Sequence, residues 1–127
     1  MDKKTKILKF GGTSIKTPER VEQVIRLILS EPPTGVVVSA IGGVTDLLIE
    51  LTQMAASGKK YSNELKSFLN FHIQFLHGLN IQQNLKKGAE AIQNIEKELT
   101  KNLNTIVSAQ RISPELNDAV LSIGERM

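Results

Sequence analysis

The chain contains no cysteine and no tryptophan, a single tyrosine, and only 4% aromatic residues. Without cysteine there are no disulfides, no thiolate zinc site and no cysteine nucleophile, and the cytoplasm is the expected compartment. Scarce aromatics leave little with which to stack nucleobases. The 16 Lys and Arg against 13 Asp and Glu are scattered, apart from pairs such as Lys3-Lys4, Lys59-Lys60 and Lys86-Lys87. A nucleic-acid face needs clustered cations, so a net charge of +3 does not point to one. No run approaches the roughly 20 apolar residues of a membrane span. At the start, only Ile7 and Leu8 separate the basic residues from polar and glycine positions, too few for a signal-peptide apolar region. His72 and His77 lie five apart with no third partner at metal-site spacing, so both are expected to pack or face solvent, and no metal site is expected.

What is present suits one globular domain: 127 residues, 40% of them hydrophobic. The stretch Lys9-Phe10-Gly11-Gly12-Thr13-Ser14 follows a short strand pattern over Lys6–Phe10 and precedes a helical one. Two glycines and two hydroxyls thus fall where a strand hands over to a helix. Glycines there can take positive φ and let a ligand approach the backbone, and free N–H groups near a helix N-terminus favour phosphate. Lys9 adds a full charge. The turn is not a Walker A loop, whose lysine follows the glycines. The same residues also suit an ordinary tight βα turn.

Further along, Thr17-Pro18-Glu19 reads as cap, first helical residue and acid at the positive end of the dipole. Val21, Val24, Ile25 and Ile28 share one face of that helix, which Glu31-Pro32-Pro33 ends. Val36-Val37-Val38 is a β-branched run of the kind found in parallel strands covered on both faces. The order β, α, β within about 35 residues predicts two buried, parallel strands whose ends face one crevice. A second glycine turn, Ile41-Gly42-Gly43-Val44, leads to Thr45-Asp46 as the expected cap of a helix carrying Leu47, Leu48, Leu51, Met54 and Ala55. An amphipathic helix from about Asn63 to Gly78–Asn80 then pairs with another through Leu85, Ile92, Ile95, Leu99, Leu103 and Ile106, a helical hairpin. Gly88 in its second arm costs about 1 kcal/mol against Ala. Ser113-Pro114-Glu115 repeats the cap signature before a last helix with Leu116, Ala119, Val120 and Ile123. Two strands are fewer than an open sheet normally has, so residues 1–127 are expected to be the front part of a larger protein or an excised piece of one.

Three blocks together carry a resemblance. Lys9-Phe10-Gly11-Gly12-Thr13-Ser14 resembles the KFGGTS signature of the aspartokinases. Val37-Val38-Ser39-Ala40 with Thr45-Asp46-Leu47-Leu48 is similar to the family's second block, and Ser122-Ile123-Gly124-Glu125-Arg126-Met127 to its third, with Ile123 in place of the usual aromatic. The resemblance spans nearly the whole chain. It implies the amino acid kinase fold, an α/β three-layer α/β/α sandwich of carbamate kinase-like type, here as an N-terminal fragment with a helical hairpin.

The resemblance also implies transfer of the ATP γ-phosphoryl group to the β-carboxylate of L-aspartate, giving 4-phospho-L-aspartate for lysine, threonine and methionine synthesis. By position, Lys9 is the catalytic lysine at the ATP phosphates, and Lys9, Phe10, Gly11, Gly12, Thr13 and Ser14 make up the phosphate loop. Ser39, Thr45 and Glu125 fall where the family contacts aspartate, Glu125 at its α-ammonium group. ATP and Mg²⁺ held through its phosphates are the expected cofactors, and a homo-oligomer is expected of the full-length protein. The family's Thr-Leu-Gly-Arg-Gly-Gly-Ser-Asp-like loop and its regulatory ACT domains have no counterpart in these 127 residues.

Each assignment has a structural alternative. Lys9 can be a solvated strand-end lysine, Ser39 a strand terminator, Thr45 a helix cap, and Glu125 part of a solvated helix face. At the level of the whole chain, the alternatives are another superfamily member, such as a glutamate or carbamate kinase, and a non-catalytic module that pairs through the hairpin from Asn63 to Ile106.

Overall fold

The computed structural model describes residues 4–79 and 85–127. It is an α/β structure with the order β1 (Ile7–Phe10), α1 (Pro18–Ser30), β2 (Gly35–Val38), α2 (Val44–Ala56), α3 (Ser62–Gly78), α4 (Leu85–Ala109) and α5 (Pro114–Arg126), with a 3₁₀ turn at Gly12–Ile15. The two strands are parallel, in a register that sets Lys9 beside Val37 and Phe10 beside Val38. Both chains therefore leave the sheet at the same edge, as the β, α, β order predicts.

Local chemistry explains the helix starts. Thr17 Oγ1 accepts from the Arg20 N–H at 3.3 Å and Ser113 Oγ from the Leu116 N–H at 3.2 Å, each with proline next in sequence. One orphan N–H per helix is thereby satisfied, and proline loses nothing where no backbone bond was available. The expected cap at Thr45 is not observed. Gly43, at φ 90°, precedes the first residue of α2, and Val44 already donates to the Ile41 carbonyl at 3.0 Å. The left-handed conformation, accessible to glycine, turns the chain into the helix before Thr45 is reached. Thr45 thus lies in the first turn of α2, exposed, and does not act as the cap.

The core lies between helices. Leu48 and Leu51 of α2, Phe68 of α3, Leu99, Leu103 and Ile106 of α4, and Val120 and Ile123 of α5 are essentially inaccessible. The predicted stripe of α4 is the buried one, and α3 and α4 pack as the expected hairpin, although Asn80 and its turn lie outside the described residues. Gly88 has a reason there: a Cβ on it would stand 2.8 Å from both methyls of Leu76, so glycine lets the two arms close.

The strands differ from expectation. Ile7, Val36, Val37 and Val38 are exposed rather than buried, because the parallel pair lacks cover on both faces within this chain. A β-branched run reports a preference for pleated, covered surface, and the described residues leave that surface open.

Candidate active site

Four segments meet at the edge where β1 and β2 end. β1 delivers Lys9, exposed, and Phe10, half-buried against the core. Gly11 opens the 3₁₀ turn that holds Gly12, Thr13 and Ser14, while across from it the Ser39 N–H extends the sheet ladder by donating to the Phe10 carbonyl at 3.1 Å. The two glycine turns are joined directly, because the Gly42 N–H donates to the Gly12 carbonyl at 3.1 Å. They approach so closely that a Cβ on Gly12 would lie 2.8 Å from the Ala40 carbonyl oxygen and 3.1 Å from the Gly42 nitrogen.

Gly12 serves close approach, not positive φ, whereas a Cβ on Gly11 would meet nothing within 4 Å. Gly11 has φ −78°, and among the described residues the glycines at positive φ are Gly43 and Gly58. The freedom to take positive φ is thus not used at Gly11 or Gly12; glycine is required at position 12 by the neighbouring backbone.

The third block arrives through α5. A Cβ on Gly124 would stand 3.2 Å from Leu48, 3.3 Å from Val44 and 3.5 Å from the Ala40 Cβ. The last turn of α5 thus rests on the first turn of α2 and on the Ser39-Ala40 turn, which brings Glu125 to the same edge as Ser39 and Thr45. Arg126 clamps that turn to α4 through a bidentate ion pair with Glu98, at 2.7 and 3.0 Å. Its guanidinium fork matches the carboxylate geometry. Hydrogen bonding to Arg126 holds the Glu98 carboxyl below its ordinary value, and the same bond raises Arg126.

Ser39 and Glu125 line one cavity of about 460 Å³, walled mainly by Val24, Ile28, Phe75 and Ile92. Ser39 is half-buried and its hydroxyl donates to the Ala40 carbonyl at 3.0 Å. Lys9, Gly11, Gly12, Thr13 and Thr45 stand outside that lining, and Phe10 and Ser14 face a separate shallow groove with Arg20. The structure therefore places eight of the nine sequence-predicted residues in two groups, the segment 9–14 with its glycine turn and the pair Ser39 and Glu125 on the cavity, while Thr45 stands exposed on the first turn of α2 and lines neither.

His72 also lines the cavity, as a buried residue with its Nδ1 2.8 Å from the Phe68 carbonyl and its Nε2 without a partner among the described residues. That bond makes Nδ1 the protonated nitrogen. Burial lowers its pKa, favouring the neutral ring. Of the two alternatives the sequence left for His72, packing or facing solvent, the structure shows packing. The roles of Arg20, Gly42, Glu98 and Arg126 were not foreseen, although Gly42 lay in the second glycine turn and Arg126 in the third block.

An exposed lysine, a tight turn with backbone donors at a strand-to-helix junction, and a carboxylate one helix away together suit an anionic ligand beside a cationic one. Among the described residues no group of three or more acidic or histidine side chains could hold a metal ion, and no helix is long and apolar enough to cross a membrane.

Comparison with known proteins places the fold and the family. The chain is 48% identical over 54 residues to an aspartokinase of Chlamydia muridarum, covering 42% of this chain and 12% of that protein. It is 28% identical over 124 residues to the lysine-sensitive aspartokinase 3 of Escherichia coli, covering 95% of this chain and 26% of that one. Among solved structures, E. coli aspartokinase III in complex with aspartate and ADP superposes with a TM-score of 0.73 at 27% identity, over 97% of this chain and 26% of that chain. The Clostridium acetobutylicum aspartate kinase shares the fold, with a TM-score of 0.69 at 22% identity. The chain spans about a quarter or less of the length of these relatives. The family model described as "Amino acid kinase family" matches residues 4–127. The chain belongs to the amino acid kinase family.

Proposed function

We infer that these residues form the phosphate side and part of the aspartate side of an aspartate kinase site, within the N-terminal portion of its catalytic domain. The observation that carries this reading is the joining of the Gly11–Gly12 turn to the Ser39–Gly43 turn, with Gly124 seating Glu125 on the same edge.

In the reaction, a β-carboxylate oxygen of aspartate attacks the γ-phosphorus of ATP. The bond to the β,γ-bridging oxygen breaks, and 4-phospho-L-aspartate and ADP result. The nucleophile is ionised at pH 7, since a carboxyl titrates near pH 4, so no general base is required. Two anions must be brought together, and the catalytic task is alignment and neutralisation of charge. Lys9 lies against the transferred phosphoryl oxygens, and backbone donors of Gly11 and Gly12 hold the phosphate chain. Ser39 and Thr45 orient the acceptor. The Glu125 carboxylate pairs with its α-ammonium group. Mg²⁺ suits this donor set only as an ion carried by the ATP phosphates, where it neutralises charge. The remaining nucleotide and carboxylate contacts belong to the part of the domain that longer relatives possess, so the 127 residues alone are expected to show no turnover.

A chimera tests the reading: residues 4–127 replace the matching segment of E. coli aspartokinase 3, and ADP release is followed with aspartate. Turnover is expected, with Lys9→Ala lowering kcat by roughly 10²-fold, the cost of losing one transition-state donor. Glu125→Ala is expected to raise the KM for aspartate and leave that for ATP unchanged. A folded chimera that accepts glutamate or carbamate but not aspartate would favour the other superfamily members. Aspartate-dependent turnover by the 127 residues alone would overturn the division of the site.

A further inference from the structure

Three consecutive carbonyls of the glycine turn are each tied down by a donor. The Gly11 oxygen accepts from the Ser14 N–H at 3.0 Å, and the Gly12 oxygen from the Gly42 N–H at 3.1 Å. The Thr13 oxygen accepts from Nη1 of Arg20 at 2.5 Å. An anion site built from backbone must present N–H groups and keep carbonyl oxygens, the negative ends of the same peptide dipoles, turned away. The first two ties are made by the backbone itself. The third depends on one side chain, whose own backbone is fixed because its N–H is taken by the Thr17 cap.

We propose that Arg20 is a positioning residue that holds the Thr13 carbonyl away from the phosphate cradle and so keeps the turn polarised for a nucleoside polyphosphate. The proposal rests on the kinase reading for its ligand, but the anchoring is a property of the turn alone. Without the guanidinium, the Thr13 carbonyl has no other donor among the bonds of the turn, and its peptide is free to rotate its oxygen toward the anion. Arg20 is exposed and shares its shallow groove with Ser14. Removing its side chain therefore leaves no buried cavity, which separates anchoring from general stability.

The test uses the 127-residue chain as wild type, Arg20→Gln and Arg20→Lys. Amide hydrogen exchange of Ser14, whose N–H is bonded to the Gly11 carbonyl, is measured by NMR, with the buried Leu99 and Leu103 amides of α4 as the control for folding, and ADP is titrated into each protein. In Arg20→Gln the Ser14 amide is expected to exchange at least about tenfold faster while those of α4 hold, and the Kd for ADP to rise about tenfold, the effect of losing one charge-assisted hydrogen bond. Arg20→Lys, which keeps a cationic donor, is expected to recover most of both. Unchanged exchange in Arg20→Gln overturns the anchoring. Faster exchange with unchanged ADP affinity overturns the link between anchoring and phosphate. Exchange is scored even if the chain binds no ADP, so failure of the kinase reading and failure of the Arg20 anchoring are separate results.

Discussion

The helical part of this chain and its strand pair solve the burial problem differently. Leu99, Leu103 and Ile106 of α4 are 0% exposed, because α2, α3 and α5 each offer an apolar stripe to the same helix. On the sheet, Ile7 stays 63% exposed and Val38 51%. A helix has one stripe to bury and finds a partner within 127 residues; a two-stranded parallel sheet has two faces and two open edges, and this chain covers them only in part. The candidate site sits on the seam. Thr45 and Glu125 are carried by the packed helices, and Lys9 and the glycine turn by the uncovered strands.

If that division is real, truncation should hurt far more in one region than in the other. Leu103→Ala is expected to cost about 2–5 kcal/mol in urea unfolding, the usual range for a buried leucine whose surroundings cannot collapse. Val37→Ala, at a residue 50% exposed, is expected to cost less than about 1 kcal/mol. Equal losses would mean that the strands are covered in solution, and the comparison would fail.

A finer version contrasts two adjacent glycines of the turn. Gly12→Ala forces a methyl to within 2.8 Å of the Ala40 carbonyl oxygen, and backbone must move to admit it. The expected cost is about 1–3 kcal/mol, with weaker ADP binding. Gly11→Ala meets nothing within 4 Å, at a φ of −78° that alanine adopts freely, and is expected to change thermal stability by less than about 0.5 kcal/mol. A tolerated Gly12→Ala would show that the two glycine turns are not seated against each other.

These pairs also mark how far residues can be read without a structure. Helix positions, the stripe of α4 and the caps at Thr17 and Ser113 were legible, because period and capping chemistry act within a few residues. The parallel pairing followed from chain order. The cap of α2 was not legible: Gly43 and Thr45 are both good helix starters, and a left-handed φ two residues earlier decided between them. Burial of Val36, Val37 and Val38 was misjudged because a β-branched run reports a preference for covered surface and not the presence of the cover. Of the motif residues, Ser39 and Glu125 share a cavity and the Gly12 turn is bonded to the second glycine turn, while Lys9 and Thr45 stand apart from that lining. The groups that hold them, Arg20 on Thr13 and Glu98 on Arg126, pair across 7 and 28 residues with no periodic signal.

The smallest effect separates the two regions by pH. His72 is the buried titratable group of the helical part, and burial lowers its pKa from the ordinary 6.5 despite the bond to the Phe68 carbonyl. The folded state then binds its proton less readily than the unfolded state, so stability is unaffected well above pH 6.5 and falls as the pH drops below it. Glu31 and Glu98 act with the same sign in a lower window. Their pKa values are lowered by Lys6 and Arg126, so the stability they contribute is present above the ordinary 4.5 and is lost only as the pH falls further. Between about pH 4.5 and 6.5 the histidine should therefore dominate, with a slope no steeper than about 1.4 kcal/mol per pH unit, the limit for one proton. His72→Leu is expected to flatten the unfolding free energy across that window while leaving the acid limb in place. A slope that survives the substitution would assign the titration to the exposed half of the molecule, and with it remove the distinction between a packed half and an open one.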